Sequence, residues 1–217
     1  MIHDSTNIMI NLNLTIGNIR ITPLFWSLTI GFVISAFLFW RFFKAEDLED
    51  EEIYKLTLNI LFSAVLMEIL TYKLLNISAI GSVVGAVAMI ILYFHNRRNI
   101  IWDGFESLTI PIFVMNIFRG IGMFLNFSRI IFLGYVVLGV LGIFFSIWMR
   151  KKYRSFAWYK SGKPGLVFWA SCVFATVGQF AIEILNTHTL YLNYIIYPLI
   201  LAGSLGVIIY RSEFKKK

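Results

Sequence analysis

Three ionisable side chains lie inside long, mostly apolar runs of this sequence: Glu68, Arg119 and Glu183. A charge in such a run is costly in lipid, and it usually faces a partner or a cavity. Three interpretations of Arg119 are open. It pairs with Glu68 or Glu183 to hold helices together, it reaches the membrane surface, or it binds an anionic group, since a guanidinium suits phosphate oxygens.

Uncharged polar residues accompany these charges. Gln179 precedes Glu183 by four residues, so both lie on one helix face. Asn116 comes three residues before Arg119, and Asn126 ends the same apolar run. This polar seam indicates either a binding site for an amphiphilic ligand or hydrogen bonds that hold helices together.

Two glycines, Gly81 and Gly85, form a G-x-x-x-G pattern in a third apolar run. Small residues at this spacing allow two helices to approach closely. They also leave space that a lipid tail can fill. The pattern therefore predicts helix packing, with a contact to lipid as the alternative.

The remaining chemistry-bearing residues do not form a metal or nucleophile site. His3, His95 and His188 fall at ends or between apolar runs, and Cys172 is the single cysteine. Neither a zinc-type ligand set nor a Ser-His-Asp arrangement is indicated. We expect no metal and no cofactor.

The elements that carry these residues are membrane helices. Of 217 residues, 59% are hydrophobic and 14% are charged, whereas soluble domains carry about 25% charged residues. We predict one all-α integral-membrane domain over residues 1–217, in which an extended outer-surface segment (1–20) precedes seven transmembrane helices. The predicted spans are 21–43, 56–73, 77–95, 101–125, 129–149, 166–185 and 190–210.

The basic residues predict an outer N-terminus and a cytoplasmic C-terminus. Only Arg20, Lys73 and Arg129 then face outward and Arg119 lies in the membrane, while the other fifteen of the nineteen face the cytoplasm. The same topology places the three intramembrane charges within roughly 10 Å of the outer interface, at ~1.5 Å per residue. Nucleic acid is not an expected partner, because the positive charge lies between the apolar runs.

Acidic residues collect at two places on the predicted cytoplasmic side. The run 46–52 predicts a solvated connector that leads into the second helix, because negative charge is favoured near a helix N-terminus. Asp103 and Glu106 follow a basic turn and start the fourth span, so they predict an interfacial charge cluster.

Four stretches resemble, in order, motifs of the prolipoprotein diacylglyceryl transferase family. They are LTIGNIRITPLFWSLTIGF (14–32), SAIGSVVGAVAMIILYFHNRRN (78–99), FESLTIPIFVMNIFRGIGMFLN (105–126) and GLVFWASCVFATVGQFAIEILN (165–186). The third is similar to a family motif Gly-Arg-x-Gly-Asn-Phe-x-Asn, in which Gly122 and Asn126 match. The resemblance implies a seven-span protein of a prokaryotic cell membrane that moves diacylglycerol from phosphatidylglycerol to a lipoprotein cysteine.

The chain departs from the family pattern at its catalytic positions. Ile80 stands where the family has an essential His, Gln179 where it has an Arg, and Glu68 where it has another Arg. Arg119 lies one residue before the position of the family's motif arginine, whereas Glu183 is kept. The outer head of the family is largely missing. Transferase activity is therefore uncertain, and its catalytic residues are unknown, with Arg119 and Glu183 as candidates.

The leading hypothesis is thus an outer-leaflet site for an anionic phospholipid, with signal peptides of lipoprotein precursors as further partners if the chain is an enzyme. The expected lipid-binding residues are Glu68, Gly81, Arg119, Gly122, Asn126, Gln179 and Glu183. The alternatives are a lipid-binding homologue without activity, a small-solute transporter or its membrane subunit, and a scaffold subunit. A transporter would place its polar site nearer the midplane at broken helices, for which Pro111 gives the one candidate break.

Overall fold

Seven α-helices and one short β-hairpin make up the part of the chain that the structure describes. The computed structural model describes residues 14–16, 19–43, 48–75, 80–156, 158–159, 164–185 and 191–212. In the hairpin, β1 (Leu14–Ile16) pairs with β2 (Ile19–Ile21) in antiparallel orientation. The helices are α1 (Pro23–Phe42), α2 (Asp50–Leu75), α3 (Ile80–Tyr93), α4 (Arg98–Phe127), α5 (Leu133–Lys152), α6 (Leu166–Leu185) and α7 (Tyr191–Arg211).

Within the described ranges, five helical segments are long and apolar enough to cross a membrane: Pro23–Phe42, Asp50–Thr71, Ile100–Phe127, Ile130–Ser155 and Leu166–Leu185. Large apolar side chains also cover the outside of the bundle; Phe62 is 72% exposed and Ile130 80%. An apolar exterior of this extent indicates contact with lipid. The helical class and the multi-pass character predicted from the sequence are confirmed. The apolar segments of α3 and α7, Gly81–Tyr93 and Ile195–Arg211, are shorter than the other five.

Local sequence signals explain where several helices begin and end. The Thr22 hydroxyl caps α1 by accepting a backbone N–H of the first turn at 3.3 Å, and Pro23 follows it. The acidic residues 50–52 form the first turn of α2, as predicted, while residues 44–47 lie outside the described part. Ser128, with a φ of 53°, ends α4 in the left-handed conformation.

Helix α4 is central, because it packs against α1, α3, α5 and α6, while α2 packs mainly on α3 and α6 on α7. The contact between α2 and α3 depends on the G-x-x-x-G pattern. A Cβ atom would lie 2.5 Å from the Met67 carbonyl oxygen at Gly81, and 2.5 Å from the Ser63 carbonyl oxygen at Gly85. In this fold the pattern therefore serves helix packing.

A cluster of buried apolar residues lies at the end of the bundle that carries the basic segments, called the basic end below. Fully buried aromatic residues cluster there, and Phe39 stacks on Phe43 with ring centroids 5.3 Å apart. Phe94 and Phe168 belong to the same core cluster. The opposite half of the bundle contains the intramembrane charges.

Glu106 ties a connecting segment to the basic end. Its Oε1 atom accepts the backbone N–H of Gly165 at 2.6 Å, and its carbonyl oxygen accepts a hydrogen bond from the Arg150 guanidinium. Asp103 is exposed. Glu106 thus contacts Arg150 and the Gly165 backbone, and the charge cluster predicted at the start of the fourth span stays a prediction.

Candidate functional site

Arg119 lies at a junction of α4, α5 and α6. It is 9% exposed, and its guanidinium carbon lies 4.8 Å from the centroid of the Tyr135 ring in α5, within the range of a cation–π contact. The Tyr135 hydroxyl donates a hydrogen bond to Glu183 Oε1 in α6 at 3.0 Å. Tyr135 thus connects the arginine to the glutamate, and one series of polar contacts crosses three helices.

A second polar contact joins α4 to α6 one turn away. Gln179 Nε2 donates to Asn116 Oδ1 at 3.2 Å. Asn116 is 4% exposed, and within the described part of the chain its Nδ2 atom has no hydrogen-bond partner. An unpaired buried donor costs about 1–3 kcal/mol, so this amide is suited to a ligand or a water that accepts a hydrogen bond.

Glu68 supports the start of α3. Its Oε2 atom accepts the backbone N–H of Ser82 at 3.1 Å. The first N–H groups of a helix lack partners within the helix, and the helix dipole favours a carboxylate there. One role of Glu68 is therefore to anchor α2 to the N-terminal end of α3.

One cavity, here called the charged cavity, is lined by Glu68, Asn116, Arg119 and Gln179. It has a volume of about 110 Å³, is partly open, and lies between α1, α2, α3 and α4, with one residue from α6. Its polar lining near the end opposite the basic end comes from Glu68, Ser82, Asn116, Arg119 and Gln179.

The rest of the charged cavity is apolar. Its two other hydroxyl groups are engaged by backbone, because Ser35 donates to the Pro111 carbonyl at 3.0 Å and Thr57 to the Ile53 carbonyl at 2.8 Å. Its lining follows α4 from Leu108 to Arg119, a distance of roughly 16 Å at 1.5 Å per residue. The lining is thus apolar along most of α4 and polar and charged near Arg119.

The structure brings some of the predicted residues together and separates others. Glu68, Arg119 and Gln179 line the charged cavity, and Glu183 reaches Arg119 through Tyr135. Asn126 lies two turns further along α4 and does not line this cavity.

The two predicted glycines lie at helix contacts. A Cβ at Gly122 would come within 2.9 Å of Ser27 Cβ in α1, and Gly81 faces α2. Close to Gly122, the Ser27 hydroxyl donates to the Phe118 carbonyl. Both glycines therefore set the spacing of the helices that form the cavity walls.

Sequence reasoning missed Tyr135. The available signal was its position, since Tyr135 lies two residues after the start of α5, at the level predicted for the three charges. A tyrosine hydroxyl that is buried in an apolar run needs a partner. That requirement predicts an acceptor, but not which helix supplies it.

Comparison with family models, with curated proteins and with solved structures finds no match for this chain. The site is therefore interpreted from its own geometry.

Proposed function

We propose that this protein crosses the cytoplasmic membrane of a prokaryotic cell seven times and binds an anionic phospholipid at Arg119. The seven proposed spans are the five long apolar segments together with helices α3 and α7. The 21 residues of α7 rise about 31 Å, enough for the hydrocarbon core. The distribution of basic residues supports an outer N-terminus and a cytoplasmic C-terminus.

The observation that carries the proposal is the polarity of the charged cavity. An arginine, a glutamate and two amides lie at one end, and apolar side chains line the remaining length. A phospholipid has the matching distribution, with a charged head group on an acyl chain. The guanidinium of Arg119 suits the phosphate, and the unpaired Asn116 Nδ2 suits an ester or phosphate oxygen. Phosphatidylglycerol is the proposed lipid, from the family resemblance.

Diacylglyceryl transfer is the second candidate, favoured by Glu68 and Arg119 lining one cavity. In this reaction a cysteine sulfur bonds to the glycerol carbon, while the bond from that carbon to the phosphate oxygen breaks. The phosphate leaves with the electron pair, and the thiol proton passes to a base. Among the described residues that line the cavity, Glu68 supplies the carboxylate that we assign to accept that proton.

A transporter is less well supported. Such proteins often bind solutes at interrupted helices, whereas α4 continues through Pro111 and α7 through Pro198 as helix. Both helices are continuous within the described part of the chain.

Arg119→Gln tests the binding proposal. We expect phosphatidylglycerol that co-purifies with the protein to fall at least about ten-fold, because a hydrogen bond to a charged group contributes about 1.5–3 kcal/mol. Arg129→Gln is the matched control, since Arg129 is exposed between α4 and α5, and it should retain the lipid. Lipid mass spectrometry measures both.

A filling variant separates loss of lipid from loss of structure. Ala36→Phe narrows the apolar part of the charged cavity and leaves Arg119 in place, so it should also lose phosphatidylglycerol while keeping a cooperative thermal transition. Full lipid retention in Arg119→Gln and Ala36→Phe would refute the proposal. Transfer of labelled diacylglycerol to a lipobox peptide tests the second candidate, and turnover at background would exclude it.

A further inference from the structure

A second cavity lies beside the first, between α3, α4, α6 and α7. Its volume is about 310 Å³, at the lower end of the range for ligand sites. Apolar residues such as Val87, Ile91, Phe113 and Ile200 line most of it. Among the described residues that line it, none is Lys, Arg, Asp or Glu, so it is called the neutral cavity. It suits an uncharged ligand.

Two hydrogen-bond donors in this lining lack partners. The Ser204 hydroxyl, on a residue that is 1% exposed, and the Trp169 Nε1 atom are buried, and the described residues provide neither with a hydrogen-bond partner. By contrast, the Ser171 hydroxyl in the same lining lies 3.2 Å from the Ser146 hydroxyl. Each unpaired buried donor costs about 1–3 kcal/mol, which an acceptor in the cavity would remove.

The two unpaired donors of the neutral cavity lie near the basic end, whereas its other end includes Gln179, which also lines the charged cavity. Trp169 is three residues from the start of α6 and Ser204 seven from the end of α7, roughly 5 and 10 Å from the basic end. The polar lining of the charged cavity lies at the other end of the bundle. A second acyl chain of the same phospholipid would bring a methyl terminus to Ser204 and Trp169 and leave both donors unpaired.

We propose that the neutral cavity is a separate binding site for an uncharged, single-chain lipid. Its carbonyl or hydroxyl oxygen accepts hydrogen bonds from Ser204 and Trp169, and its chain extends along α6 toward Gln179. This proposal does not depend on phospholipid binding in the charged cavity. Water at the two donors is the competing explanation, because a polar site of this size can hold ordered water.

The test uses the purified full chain in phosphatidylcholine vesicles with three photoreactive probes. They are a twelve-carbon methyl ketone that carries a mid-chain diazirine, the same chain without oxygen, and the matching carboxylate. The ketone should cross-link to α6 and α7 and saturate at a mole fraction about ten-fold lower than the other two probes. Combining Ser204→Ala with Trp169→Phe should remove this advantage, since loss of the donors weakens binding about ten-fold.

Variants that place a larger side chain in one cavity test which cavity binds the ketone. Ala175→Phe, with Ala88→Phe as a second choice if the first does not fold, should block the ketone and retain phosphatidylglycerol. Ala36→Phe should retain the ketone. The proposal would be overturned if the ketone and the hydrocarbon saturated at the same mole fraction. It would also be overturned if removal of both donors left the ketone affinity unchanged. Either result would mean that Ser204 and Trp169 donate to water. Loss of phosphatidylglycerol in Ala175→Phe would overturn it as well, by assigning the neutral cavity to the phospholipid.

Discussion

At the scale of single residues, Tyr135 explains how a buried arginine and a half-buried glutamate are accommodated together. Its ring face meets the Arg119 guanidinium and its hydroxyl reaches Glu183 Oε1. One side chain therefore serves both charges, and the guanidinium also borders the charged cavity. Arg119 thus has a structural contact on one side and the proposed ligand on the other.

Tyr135→Phe separates these contacts, because phenylalanine keeps the ring face and removes the hydroxyl. Glu183 then loses a partly buried hydrogen bond, and we expect the free energy of unfolding to fall by about 1–3 kcal/mol. Tyr210→Phe is the control, since Tyr210 is 83% exposed and should change stability little. Denaturation in detergent measures both variants. Equal stability of Tyr135→Phe and the unchanged protein would show that this hydrogen bond contributes nothing measurable.

At the scale of helices, hydropathy predicted the seven helices but not which of their faces contact one another. The apolar runs gave the α6 bounds to within one residue, because run length and flanking polar residues mark a span. Depth along the helices also predicted that Glu68, Arg119 and Glu183 lie at one level, and of these Glu68 and Arg119 line the charged cavity. The link through Tyr135 was not predicted, because helices that are apolar on most sides carry little information about rotation around their axes.

Gly85 tests the contact between α2 and α3. In Gly85→Ala the new Cβ would lie 2.5 Å from the Ser63 carbonyl oxygen, so the helices must separate, and overpacking of this kind typically costs about 1–3 kcal/mol. This movement would also disturb the hydrogen bond from Ser82 at the start of α3 to Glu68 in α2, and we expect less phosphatidylglycerol to co-purify.

Gly203→Ala is the matched control for that variant, because a Cβ at Gly203 meets nothing within 4 Å. Its stability should stay the same or rise by up to about 1 kcal/mol, from the higher helix propensity of alanine. If the two glycine variants had the same thermal stability, close contact at Gly85 would not be needed for the fold.

At the scale of the whole molecule, packing and charge are divided between the two ends of the bundle. The buried aromatic core and the Glu106 contacts lie at the basic end, and the charged cavity has its polar end at the other. In the proposed orientation the basic end faces the cytoplasm, and the polar end of the charged cavity faces the outer leaflet. The orientation therefore decides from which leaflet a phospholipid enters.

Cysteine labelling tests that orientation across α5, whose 20 residues rise about 30 Å and are long enough to cross the hydrocarbon core. Arg129 and Arg154 are exposed near its two ends, so Arg129→Cys and Arg154→Cys are introduced separately into a Cys172→Ala background. A membrane-impermeant maleimide should label the cysteine at 129 in intact cells, and the one at 154 only after the membrane is disrupted. The reverse pattern would invert the orientation and move the proposed phospholipid site to the cytoplasmic leaflet. Labelling of both positions in intact cells would show that α5 does not cross the membrane.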